Sequence, residues 1–205
     1  MKTSVIGSTL LGMISFAISG TVACFLILFA DEYILATAIA GGLGGLLLGV
    51  FARMGPKIFK MTIAGAAAML LGLVLSFLIV EGTGELFLSG SAEWMNSSIA
   101  DIIAIALMGI LAGAAMGIAM DGRKAALSYS AVCGVASIPF GFLVAAFNSG
   151  YRFPFWPEDP ANILAKLDVN FLTISIALGF GIGLSAGLYK MMMGKGTKSK
   201  TLRGE

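Results

Sequence analysis

Three nine-residue stretches decide the architecture: GGLGGLLLG at 41–49, GILAGAAMG at 109–117 and GFGIGLSAG at 179–187. Each places glycines four apart, at Gly41, Gly45 and Gly49, at Gly109, Gly113 and Gly117, and at Gly179, Gly183 and Gly187. Residues four apart stack on one face of a helix. The three stretches therefore read as three helices, each with one ridge stripped of side chains. Their spacing is 68 and then 70 residues, which points to tandem copies of one structural unit.

The residues around the stripes identify the solvent. Hydrophobic residues make up 58% of the chain and charged residues 12%, with a mean hydropathy of +0.97; a soluble domain is about one quarter charged. Six apolar runs, roughly 4–30, 34–54, 59–80, 99–120, 125–147 and 170–193, none with more than one charged residue, reach the roughly 20 residues needed to cross a bilayer. The chain is expected to be an all-α integral membrane protein with no separate soluble domain. The first run continues through Phe25–Ala30, too long for the core of a cleaved signal peptide.

Charge sets the expected orientation. Counted alternately along six spans, one side holds 11 of the 13 basic residues, among them Lys2, Arg53, Lys57, Arg123, Lys124 and Lys190, against Asp121 and Glu205. That side nets +9; the other, with Asp31, Glu32, Glu81, Asp101 and Asp168 among its carboxylates, nets −7. Because basic residues accumulate on the cytoplasmic face, both termini are expected there, in the cell membrane. The basic tail at 196–205 is expected to bind anionic lipid headgroups rather than nucleic acid.

The repeat extends beyond the glycine stripes. Gly65 and Gly72 in the third span match Gly134 and Gly141 in the fifth, and Gly12 with Ser19 keeps the interval in the first. Each unit closes on a basic, glycine-containing turn: Arg53-Met-Gly-Pro-Lys57, Asp121-Gly-Arg-Lys124 and Met193-Gly-Lys195. The expected units are about 1–55, 56–122 and 123–195. Each holds two spans, so all three keep one orientation, and any symmetry axis runs along the membrane normal. The expected fold is six transmembrane helices as three tandem parallel helix pairs with pseudo-threefold symmetry. Each stripe either meets the others at the axis or seats one odd-numbered span, since missing side chains let helix backbones approach closely in lipid.

The residues for chemistry are sparse. There is no histidine, so the usual neutral-pH base and imidazole metal ligation are absent. Cys24 and Cys133 are isolated inside spans and form no metal pattern; they read as small buried hydrophobes. The carboxylates fall at span ends, and Ser98-Ile-Ala-Asp101 reads as a capping box opening the fourth span. No enzyme activity, cofactor or metal site is expected. Lys60 and Lys190 lie near enough to the basic surface to snorkel.

Within the spans the polar residues are hydroxyls, which can bond to their own helix or across to another. The fifth span is the most unusual, because Pro139 leaves the carbonyl of Val135 without its helical partner and favours a kink. Val135, Ser137, Pro139 and Gly141 are the candidates for a solute path or hinge. The aromatic residues Trp94, Tyr151, Phe153, Phe155 and Trp156 suit the headgroup layer, and Asp159-Pro160 reads as a start signal for a short surface helix over 161–167.

Two functions remain from this reading. One is a small-solute transporter or channel. The other is a non-catalytic structural subunit of a larger membrane complex. The expected partners are membrane lipids and either other membrane proteins or further copies of the chain.

Overall fold

In the computed structural model, residues 4–87, 93–148 and 168–201 are described, with side chains described over 4–79, 99–148 and 168–193. The described residues form α1 (Val5–Ala30), α2 (Tyr33–Phe51), α3 (Ile58–Phe87), α4 (Glu93–Asp121), α5 (Arg123–Asn148) and α6 (Val169–Thr201). All six are long and apolar enough to cross a membrane. Their outward surfaces carry Ile6, Phe29, Phe59, Phe77, Leu127 and Val135 in exposed positions. In water such a surface would drive aggregation; in hydrocarbon it is the expected exterior, so the chain is a polytopic membrane protein.

Local chemistry ends several of the helices close to where the sequence suggests. Ser4 caps α1 by accepting from the Gly7 N–H at 3.1 Å. Asp31 stops α1 in the left-handed conformation, φ 54°, with its N–H on the Ile27 carbonyl. Between α2 and α3 the chain passes through Arg53 and Gly55, φ 53° and 54°, into a 3-10 turn at Gly55–Lys57. The link from α4 to α5 is Gly122 alone, whose φ of 89° favours a residue without Cβ.

Two of the expected start and stop signals differ from the structure. Helix α4 begins at Glu93, so Ser98 and Asp101 lie inside the helix and form no capping box at its start. Helix α6 runs to Thr201, so Met193-Gly-Lys195 is helical and not a turn. No proline interrupts this stretch, interior glycine costs a helix only about 1 kcal/mol, and lysines near a helix C-terminus are favourable. The segment 149–167, with its aromatic cluster and expected short helix, lies outside the described residues, as does the side chain of Trp94.

The helices form a closed ring in which each packs on its chain neighbours and α6 returns to pack on α1. The even-numbered helices are the inner ones. In the most apolar stretch of α2, α4 and α6, 50%, 50% and 56% of residues are buried, against 39%, 22% and 33% in α1, α3 and α5. The interior is filled by Phe16, Met61, Met116, Met120, Leu178 and Ile182.

The glycine stripes lie where even helices meet odd ones. Gly41, Gly45 and Gly49 of α2 face Gly65, Met61 and Ile58 of α3. On α4, Gly109 and Gly113 face Cys133 and Tyr129 of α5, and Gly117 faces Tyr129 and Ala126. Gly179, Gly183 and Gly187 of α6 face Gly12, Ser8 and Val5 of α1. On the odd helices the facing residues step back by four and then three in every case. The first glycine of each stripe also meets the residue one turn further on: Met69, Ser137 or Phe16. A Cβ at Gly113 would stand 2.5 Å from the Tyr129 carbonyl oxygen and 2.8 Å from Cys133 Cβ, while one at Gly41 would collide with the Gly65 carbonyl. Each seam therefore brings two backbones into contact, which substitutes for the hydrophobic drive that lipid does not supply.

These seams join α2 to α3, α4 to α5 and α6 to α1. Each links the second helix of one expected unit to the first helix of the next, and the last closes the ring across the chain termini. The facing register pairs Gly65 with Cys133 rather than with Gly134, a one-residue shift from the match drawn on sequence. Gly134 is turned away to meet Ile110.

Candidate functional site

The hydroxyls of the spans are mostly consumed locally. Thr9, Ser15, Thr21, Thr37, Thr62, Ser76, Ser137 and Ser175 each donate to the carbonyl four residues earlier, at 2.7–3.0 Å. A hydroxyl satisfied this way leaves no unpaired donor in the apolar interior. Ser8 is the buried exception: among the described residues its side chain makes no hydrogen bond.

The fifth-span residues are distributed over different faces. Ser137 is fully buried against Gly109 of α4, donating to the Cys133 carbonyl at 2.8 Å. Gly141 lies against Ile102 of the same helix. Val135 is 68% exposed, and Val135 and Pro139 border an outward apolar groove with Ala131, Phe140, Phe180 and Leu184. The four residues therefore share no common lumen. Pro139 is carried within a continuous α5.

A different constellation lies at the basic end, where the inner helices come together. A cavity of about 260 Å³ is lined by Ser8 and Leu11 of α1, by Leu48, Phe51, Ala52 and Arg53 at the end of α2, by Met120 of α4, and by Gly183, Ala186 and Lys190 of α6. All three even-numbered helices contribute. One turn or so deeper along these helices stand Phe16, Met116, Leu178 and Ile182, none more than 1% exposed. The cavity thus lies at the basic end, and the same helices carry packed apolar side chains further along.

Its electrostatics are one-sided. Arg53 and Lys190 are exposed at the cavity, and neither side chain has an ion-pair or hydrogen-bond partner among the described residues. The neighbouring carboxylate, Asp121, is occupied by Tyr129, whose hydroxyl donates to Oδ2 at 2.5 Å. Lys57 caps the end of α4 by donating to the Met120 carbonyl, the ordinary use of a cation at a helix C-terminus. Arg53 and Lys190 are not used in that way. Arg53 is left-handed because it ends α2, its N–H on the Val50 carbonyl at 3.0 Å and the Met54 N–H on the Gly49 carbonyl at 2.9 Å, an ending that costs a residue with a Cβ about 1 kcal/mol or more relative to glycine.

At the opposite end a polar clip ties three helices. Asn148 Nδ2 donates to Asp101 Oδ2 at 2.7 Å, and Asn170 Nδ2 donates to Asn148 Oδ1 at 2.7 Å, joining α4, α5 and α6. Asp168 caps α6 by accepting from the Phe171 N–H at 3.0 Å, and its carbonyl accepts from Cys24 Sγ at 3.5 Å. Cys24 and Cys133 are both buried free thiols. Among the described residues no group of three or more Cys, Asp or Glu side chains is placed to hold a metal ion.

The glycine stripes were legible from spacing alone, though not the helix that each one meets; the cavity was not, because its residues come from four separated segments and form no motif. The pairing of Arg53 and Lys190 with unoccupied polar capacity at Ser8 could be found only after the helices were assembled. No protein-family model, curated protein or solved structure matches this chain, so the geometry itself carries the functional argument.

Proposed function

We propose that this chain is a small-solute transporter or channel of the cell membrane, with both termini cytoplasmic and three parallel helix pairs arranged about a pseudo-threefold axis. The single observation that carries the functional reading is the cavity at the basic end among α1, α2, α4 and α6, lined by Ser8, Arg53 and Lys190 together with apolar side chains. A cavity at the meeting point of inner helices, placed toward one face of the membrane, fits one end state of alternating access. The threefold reading is supported by the common register of the seams, and the orientation by the +9 and −7 division of charge.

A second reading, a non-catalytic subunit of a larger membrane complex, draws on the apolar groove beside Pro139 on the outer face of α5 and α6. One experiment separates the two. The protein is purified in mild detergent, examined for co-migrating polypeptides, and melted against a panel of solutes; any stabilising solute is then followed across proteoliposomes. A homogeneous single-chain particle that is stabilised by a solute and moves it supports transport. Stable partner polypeptides together with no stabilising solute would replace transport with the subunit reading.

A further inference from the structure

The basic-end cavity has a chemical bias that narrows what it can hold. Its polar capacity consists of two unpaired cations and one uncommitted hydroxyl, from Arg53, Lys190 and Ser8. The rest of its wall is apolar, chiefly Leu11, Leu48, Phe51 and Met120. Guanidinium and ammonium groups recognise oxyanions by charge-assisted hydrogen bonds, and an apolar wall rewards burial of hydrocarbon. At about 260 Å³ the space is slightly below the 300 Å³ or so at which drug-sized sites begin. The occupant is therefore small, with an anionic head and a short chain.

Headgroup anchoring is the ordinary role of basic residues at a membrane surface, and it accounts for Lys60 and Lys124, which lie at the basic end and outside the cavity lining. Arg53 and Lys190 differ in lining the cavity, with no side-chain partner among the described residues.

We propose that this cavity binds a small amphipathic anion, an oxyanion such as a sulfonate, phosphate monoester or carboxylate on a short apolar chain, held by Arg53 and Lys190 with Ser8 as hydrogen-bond donor. The assignment names the substrate class of the cavity invoked above and rests on reading it as the solute site. The same chemistry is offered by a free amphiphile arriving from the basic side and by an anionic lipid entering from the leaflet.

The test uses the full chain in nanodiscs and hexanesulfonate as the probe, because its charge is permanent. Hexanesulfonate is expected to raise the melting temperature saturably, while hexanol and hexyltrimethylammonium do not. The paired substitution Arg53→Gln with Lys190→Gln is expected to lower its affinity about tenfold or more, the range for losing hydrogen bonds to a charged group. Ala186→Leu, which narrows the cavity from its apolar side, should weaken binding with both cations in place.

Nanodisc composition separates the sources. A shift of equal size in zwitterionic and anionic bilayers assigns the site to a soluble amphiphile. A shift lost in anionic bilayers, where the lipid already stabilises the protein, assigns it to lipid. Equal stabilisation by hexanol or hexyltrimethylammonium, absence of any saturable shift in both bilayers, or unchanged affinity in the double variant would overturn the proposal. Hexanesulfonate binding without flux in proteoliposomes would keep the site and reject transport; flux of another solute with no anion binding would do the reverse.

Discussion

Gly41 and Gly42 are adjacent, buried, and in the middle of the same helix, yet alanine at the two positions should have opposite effects. Either substitution removes the conformational cost of glycine and so favours the helix by about 1 kcal/mol. At Gly42 the new methyl would sit 3.5 Å from Ala66 Cβ and 3.7 Å from the Thr62 carbonyl oxygen, an ordinary contact. Gly42→Ala is therefore expected to stabilise by up to about 1 kcal/mol. At Gly41 the methyl collides with the carbonyl of Gly65, backbone that no rotamer change can move. Helices α2 and α3 must then part, and the neighbouring approach of Gly45 to Met61 loosens with them. Overpacking costs about 1–3 kcal/mol, with the upper end expected where the obstacle is main chain. The net loss is about 2 kcal/mol and the difference between the two variants about 3 kcal/mol, roughly a hundredfold in the unfolding equilibrium. Reversible unfolding in mixed micelles, titrated with dodecyl sulfate and followed by circular dichroism, measures it. Gly41→Ala unfolding at or above the midpoint of Gly42→Ala would refute the assignment of the stripe to backbone contact.

Four further outcomes follow from the same geometry. Gly113→Leu should reduce the yield of folded protein far more than Leu111→Ala, and equal, mild losses measured by size-exclusion chromatography would contradict the seam between α4 and α5. Tyr129→Phe should destabilise by about 1–2 kcal/mol through loss of the hydroxyl donor to Asp121, with the loss largely absent in an Asp121→Ala background; additive losses in a double-mutant cycle would show the pair to be uncoupled. Arg53→Gly should raise thermal stability by about 1 kcal/mol by relieving the left-handed backbone while weakening the response to hexanesulfonate, and a fall in stability would argue against strain there. Single cysteines at Lys124 and Asp31 in a Cys24→Ala, Cys133→Ala background should react with an impermeant maleimide from opposite sides, Asp31→Cys from outside intact cells; the reverse pattern would invert the topology.

What could be read from sequence was set by length and periodicity. Six apolar runs fixed the spans to within a few residues at most ends, because crossing length and helix-ending turns are local properties. Gly122 and Arg53-Met-Gly-Pro-Lys57 announce their turns directly. Even the functional meaning of a glycine stripe, close approach of a second helix, is local chemistry. Which helix approaches is not, and only assembly pairs α6 with α1.

Direction is also invisible until helices pack. Ser137 and Pro139 are two residues apart and look like one polar site, but Ser137 points into α4 and Pro139 borders the outer groove. Conversely, Lys190 reads as a snorkelling residue, and only the neighbouring ends of α1 and α2 make it part of a cavity. Asp101 misled for a similar reason: its spacing from Ser98 suits a capping box, while its carboxylate is used across helices by Asn148.

The seams of α2 with α3, α4 with α5 and α6 with α1 share one facing register, and the threefold arrangement proposed above requires them to be equivalent. An experimental structure in lipid nanodiscs measures this directly. The predicted result is that a one-third turn about a line normal to the membrane superimposes α2 with α3 on α4 with α5 and on α6 with α1, bringing Gly45, Gly113 and Gly183 into coincidence. A structure in which α6 and α1 are apart, or in which one stripe is displaced by a helical turn or faces lipid, would contradict it.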